Sequence, residues 1–177
     1  MKEAEVSLRI AHHYIISKQT INDVRVSLDG AQIKTGDSMN FSISDFMNEI
    51  GAVQDIIETC WQGRYSIPGY KAGIIIHSHP GEGDINIKLV TGRTLFIECK
   101  GFSIEGDKGS REYSRMREAI GQLLTCTTYS ELIDYAVGVP DSKKSREKAN
   151  EWSKLHQIRS NRIKFFLVNR NGLLTII

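Results

Sequence analysis

Residues 81–101, "GEGDINIKLVTGRTLFIECKG", form two apolar runs joined by Thr91-Gly92-Arg93, yet Asp84 opens the first run and Glu98 and Lys100 lie near the end of the second. In a strand, residues i and i+2 point to one face, so Glu98 and Lys100 project together while Ile97 and Cys99 face the other way. Asp84 lies eight residues before Gly92 and Lys100 eight after it, so a hairpin centred near Gly92 pairs Asp84 close to Lys100. Two carboxylates and one ammonium would then converge at the end of an apolar sheet. Carboxylate oxygens on a rigid scaffold suit Mg²⁺, a hard cation that keeps water for the rest of its octahedron. A lysine beside the metal can hold an attacking water or neutralise charge on a phosphate. These are parts for metal-assisted phosphodiester hydrolysis. The alternative is a salt bridge between Lys100 and either acid, but burying three charges for stability alone is unfavourable, and such a cluster more often marks a site.

Other segments must position these residues. Residues 2–16 read as a short helix or a strand. "DVRVSLDGAQIK" alternates Val24, Val26 and Leu28 before Asp29-Gly30, a hairpin signal. From Ser44 as N-cap, Phe46, Met47, Ile50, Val53, Ile57 and Trp61 fall at helical spacing, which predicts a first long helix. "AGIIIHSH" reads as a buried strand, followed by the charged hairpin. After a Gly-rich loop, Met116, Ile120, Leu123 and Leu124 mark a second long helix, then "DYAVGVP" a strand, "SKKSREKANEWSKLHQI" a basic amphipathic helix and "IKFFLVN" a strand. Helix, three strands, helix, strand, helix, strand predicts an α/β fold with a mixed central sheet and helices on both faces, its edges closed by the N-terminal hairpin and the C-terminal segment.

At Asp84 and "LFIECKG", within that order of elements, the sequence resembles the PD-(D/E)xK nuclease superfamily over roughly residues 44–140. The resemblance implies a restriction-endonuclease-like α-β-β-β-α-β core and a single nuclease-like domain. Residues 1–43 would be an N-terminal hairpin and extension, 44–140 the catalytic core, and 141–177 a C-terminal helix and strands. It implies that Asp84 and Glu98 bind Mg²⁺, with Mn²⁺ as a substitute, that Cys99 is a third metal position, and that Lys100 works on the nucleophilic water. Gln122, in "EAIGQLL", is the glutamine that faces the site in such proteins, and Glu58 is the candidate, ahead of Glu49, for a glutamate from the first helix. Gly83 stands where the family's proline precedes the first Asp. The expected activity is hydrolysis of DNA by an endonuclease in restriction, repair or mobile-element defence, with a homodimer left open. The alternative is a nucleic-acid-binding or assembly module that keeps the fold without cleaving.

The remaining residues bound the reading. Lys and Arg number 23 against 21 Asp and Glu, a net charge of +2, which permits nucleic-acid binding only where the basic residues cluster. Such residues are frequent after position 110, including Arg111, Arg115, Arg117, Lys143, Lys144, Arg146, Lys148 and Lys154, and would supply phosphate contacts if they line the cleft. "DKGSRE", at residues 107–112, is the place for a mobile element over the substrate. His77 and His79 have no third ligand nearby in sequence and read as structural. Three cysteines without CxxC spacing, a charged N-terminus and no long apolar run predict a soluble cytoplasmic protein without a membrane span.

Overall fold

The computed structural model describes residues 1–79, 83–103, 109–125 and 130–177. Helix α1 (Glu3–Ile16) buries Ala4, Leu8, Ala11 and Ile15 on one stripe, with Glu3 and Glu5 in its first turn, where acids complement the helix dipole. Strand β1 (Val24–Ser27), the one-turn helix α2 (Gly30–Ile33) and the short pair β2 (Lys34–Thr35) and β3 (Ser38–Met39) follow. Next come α3 (Ile43–Glu49) and the strands β4 (Val53–Ile57), β5 (Gly63–Ser66), β6 (Gly73–His77), β7 (Ile85–Lys88) and β8 (Thr94–Cys99). The chain ends with α4 (Gly109–Thr125), β9 (Ile133–Pro140), α5 (Lys143–Trp152), α6 (His156–Ser160), β10 (Ile163–Val168) and β11 (Leu174–Ile176).

Nine strands form one mixed sheet in the order β11-β10-β9-β8-β7-β1-β6-β5-β4, with helices on both faces. Alternation along β9 and β10 shows how two cores share it. Ala136, Phe166 and Val168 join Leu8, Ile10, Ile85 and Ile97 beneath α1, whereas Tyr135, Val137, Phe165 and Leu167 join Met116, Ala119 and Trp152 beneath α4 and α5. Buried on both faces, β9 is apolar almost throughout, as a parallel strand between two parallel neighbours should be. No helix among the described residues is long and apolar enough to cross a membrane.

Two expectations for the first half are corrected. The helix expected from Ser44 through Trp61 stops at Glu49: Ser42 is its N-cap, Gly51 at φ +69 takes the chain out of it, and Val53–Ile57 is strand. Val53, Ile56 and Ile57 are exposed on the sheet-edge strand β4, so their helical spacing with Phe46 and Met47 records no common buried face. Nor does Asp29-Gly30 make a hairpin. Asp29 caps α2 by accepting a hydrogen bond from the Ala31 N–H, and β1 lies inside the sheet, parallel to β6 and antiparallel to β7. The sheet edges are β4 and β11.

Candidate metal and phosphate site

The hairpin of β7 and β8 pairs Ile85 with Ile97 and Lys88 with Thr94. That register centres the turn one residue earlier than Gly92 and brings Asp84 level with Glu98, two positions short of the expected partner Lys100. Asp84 is fastened there from two sides: its N–H donates to Ile97 O at 3.1 Å, and its carbonyl accepts from Ser27 N–H on β1 at 2.8 Å. Its Oδ2 accepts from the Cys99 N–H at 2.7 Å. Lys100 continues the β8–β9 ladder by donating its N–H to Gly138 O at 2.9 Å, and its Nζ donates to Glu98 Oε1 at 2.8 Å. Glu98 and Lys100 are buried, with 9% and 5% of their surfaces exposed.

Two further acids reach the lysine. Glu3, in the first turn of α1, places Oε1 3.7 Å from Lys100 Nζ, while the same oxygen accepts from Gln32 Nε2 at 2.9 Å. Glu118 on α4 reaches 4.0 Å with Oε1, but its other oxygen is held by Arg115 at 2.9 Å. Glu98 and Glu3 therefore lie against a single ammonium, with Asp84 beside them across the strand pair from Glu98.

The electrostatics follow from that imbalance. Burial first, and then the Glu98 and Glu3 carboxylates, push the Asp84 carboxyl up to about 8, against the pull of the Cys99 N–H and Lys100. Burial also raises Glu3, although Lys100 and the Gly101 N–H work the other way. For Lys100 burial opposes the charge, but the Glu98 hydrogen bond and the surrounding carboxylates outweigh it and its pKa rises. The lysine is held as an ammonium.

Of the residues expected at the site, Asp84, Glu98 and Lys100 are brought together. The Cys99 thiol is not with them: it lies in the core on the α1 face, where burial pushes its pKa well up, and only its N–H serves the cluster. Glu58 is exposed in the β4–β5 loop, its N–H donating to Gln62 O. Since β4 is five places from β8 in the sheet, Glu58 stands about 24 Å from Glu98 at about 4.8 Å per strand. The acid that does reach Lys100 from a helix start is Glu3 on α1. Its signal was the stripe Ala4, Leu8, Ala11 and Ile15 behind two first-turn acids, which marks residues 3–16 as a helix. Gln122 is exposed on α4, one turn beyond Glu118, with no described contact to the cluster.

The donor set suits a hard cation in type, since carboxylate oxygens surround the lysine and two of them are level across one strand pair. Among the described residues no three His, Cys, Asp or Glu side chains are grouped so as to hold a metal ion. His77 and His79 pair with each other, the His79 N–H donating to His77 Nδ1 at 3.2 Å. Among the expected basic residues, Arg111 and Arg115 line a pocket with Glu118 beside Gly101, whereas Arg146 and Lys148 are tied to Asp141 and Glu151. Residues 107 and 108 of the expected mobile segment lie outside the described residues. Compared with protein-family models, with curated proteins and with solved structures, the chain matches none.

Proposed function

We propose that the chain is a metal-dependent nuclease that hydrolyses phosphodiester bonds of DNA, with Asp84, Glu98 and Lys100 as its working residues and Glu3 beside them. The observation that carries this reading is the surplus of negative charge. A buried salt-bridge network kept for stability should come near to balance, because every unpaired buried charge is costly. Here Glu98 and Glu3 lie against one ammonium with Asp84 beside them, and the excess is relieved by holding a proton on Asp84. A divalent cation would relieve it as well. The topology supports the same reading: α1, β1, β7, β8, α4 and β9 follow the helix, three-strand, helix, strand order of the PD-(D/E)xK core when residues 28–83 are taken as an insertion.

Asp84 and Glu98 would hold Mg²⁺ or Mn²⁺, which supplies Lewis acidity toward a phosphoryl oxygen and a more acidic water. Lys100, kept protonated by its neighbours, donates hydrogen bonds to a water or a phosphate oxygen and offsets charge developing there. As an ammonium it cannot accept the proton of the attacking water. Glu3 restrains Lys100 from the first turn of α1 and adds a carboxylate that can take up a proton.

A second reading has an observation behind it. Lys100 already occupies one oxygen of Glu98, and no described group of three ligating side chains is present, which favours a nucleic-acid-binding module that keeps the fold without cutting. Cleavage of supercoiled plasmid and linear duplex in Mg²⁺, Mn²⁺ or EDTA decides between them. The nuclease reading expects metal-dependent cutting that falls by about 100-fold or more in both Asp84→Asn and Lys100→Ala, the scale of losing one transition-state contact. No cutting with either metal, or cutting unaltered in Asp84→Asn, rejects it.

A further inference from the structure

Helix α4 packs on β8 and β9, and α5 and α6 pack on β10. On that same face, a row of paired residues runs across the rest of the sheet: Phe96, Asn86, Arg25, Ile75 and Arg64 stand side by side on β8, β7, β1, β6 and β5. A groove of about 790 Å³ lies over this part of the sheet, bordered by Arg25, Arg64, Lys71, Lys88, Asn22 and Asn86. Its lining comes nearest the carboxylate cluster at Asn86, two residues beyond Asp84 along β7 and about 7 Å away.

The groove's charge is its distinguishing property. Four cations line it against one acid, Asp23, a surplus of three, while the whole chain has 23 cations and 21 acids, a surplus of two. Asp23 is committed to the framework: both its oxygens bind Arg64, at 2.8 and 3.1 Å, and Oδ1 also accepts from the Gly73 N–H at 2.6 Å. Asp55 reaches Arg64 as well, so that arginine is braced and largely neutralised. Lys71 and Lys88 form no ion pair among the described residues, and Lys88 donates only to the Thr94 hydroxyl at 2.7 Å. Arg25, Lys71 and Lys88 are exposed.

We propose that this groove is the bed of a duplex DNA backbone, held by phosphate contacts from Arg25, Lys71 and Lys88 and leading into the Asp84–Glu98–Lys100 cluster. The inference rests on the nuclease reading for the choice of DNA among polyanions. From β7 to β5 the row crosses three strand spacings, about 14 Å, which at about 3.4 Å of helix axis per phosphate on each strand spans about four phosphates. Among the described residues the groove lining has no aromatic side chain on which unpaired bases could stack, so it suits a duplex, whose bases are turned inward, better than a single strand. Contacts of this kind carry affinity without reading sequence.

The test is binding of the full chain, in EDTA, to a fluorescein-labelled duplex of arbitrary sequence, followed by anisotropy over a series of salt concentrations. Lys71→Ala with Lys88→Ala should bind on the order of tenfold more weakly, with a log K against log salt slope shallower by about two, and Arg25→Ala shallower by about one more. Lys143→Ala with Lys154→Ala, exposed cations outside the groove, should bind as wild type. Groove variants that bind with the wild-type slope overturn the proposal, as does a wild type that binds no duplex or prefers a single strand of the same length. EDTA separates this result from catalysis. Groove-dependent binding without metal-dependent cutting would sink the nuclease reading and leave the groove standing, and cutting with groove variants of normal affinity would do the reverse.

Discussion

Burial and the neighbouring Glu98 and Glu3 carboxylates raise Asp84 to about 8, far above the value of about 3.9 in an unfolded chain. A group whose pKa is higher in the folded state binds its proton more tightly there. Its contribution to stability is therefore fully present below about pH 4 and is lost progressively as pH rises toward 8. Metal-free wild type should lose stability over that window, and Asp84→Asn, which cannot ionise, should not. In EDTA the two proteins should unfold at similar temperatures near pH 4, with the variant the more stable at pH 8 by on the order of 1 kcal/mol or more. Thermal unfolding at a series of pH values checks this. A variant less stable than wild type at pH 8 would mean that ionised Asp84 is a stabilising partner of Lys100, the salt-bridge reading. Asp84, Glu98 and Lys100 were legible because strand alternation and hairpin arithmetic are local rules. Glu3 was not, because it meets Lys100 across 97 positions of chain and no local rule spans that interval.

Bringing the start of α1 against the end of β8 needs a residue without a side chain at the crossing, and Gly101 is that residue. A Cβ there would stand 2.3 Å from Glu3 N and 2.8 Å from Lys2 C, both backbone atoms that cannot turn aside. Gly101→Ala should therefore push the first turn of α1 away from Lys100 and cost about 1–3 kcal/mol, the range for overpacking. Glu3→Gln removes the charge without moving the helix. If Glu3 matters through its position, Gly101→Ala should lower both the melting temperature and cleavage, whereas Glu3→Gln should lower cleavage with little change in melting. Equal melting losses in the two variants would assign Glu3 to the fold alone. At this scale, β6 to β10 and α4 were readable from their runs of one dominant period, whereas the single helix expected over residues 142–158 is broken: α5 ends at Trp152 and α6 begins at His156. The stretch from Ser42 to Trp61 was not readable: Phe46 and Met47 are buried in α3 while Val53 and Ile57 are exposed on β4, and a hydrophobic pattern alone does not show that a turn at Gly51 divides them. Strand β1 was misread for a related reason. Its partners are β6 and β7, some 50 to 60 residues on, and the nearby Asp29-Gly30 offered a local hairpin that tertiary pairing overrides.

For the whole molecule, the carboxylates of the proposed metal site come from separate strands, Asp84 from the start of β7 and Glu98 from β8, with Glu3 of α1 beside them. An unfolded chain does not hold them together, so a cation bound by them binds the folded state alone and shifts unfolding by mass action. At a free Mg²⁺ or Mn²⁺ concentration 100 times its dissociation constant the gain is about 2.7 kcal/mol. For a chain of 177 residues, at about 2–4 °C per kcal/mol, melting should rise by about 5–10 °C. The rise should saturate with metal, grow from pH 6 to pH 8 as the Asp84 proton becomes easier to displace, and disappear in Asp84→Asn. Glu58→Ala should keep the full rise, because that residue lies five strands away at the far edge of the sheet. A balanced salt-bridge network predicts no metal-dependent rise in any of these proteins. Thermal melts of wild type and the two variants with and without metal thus test whether the surplus of carboxylates around Lys100 is there to receive a cation, before any substrate has been found.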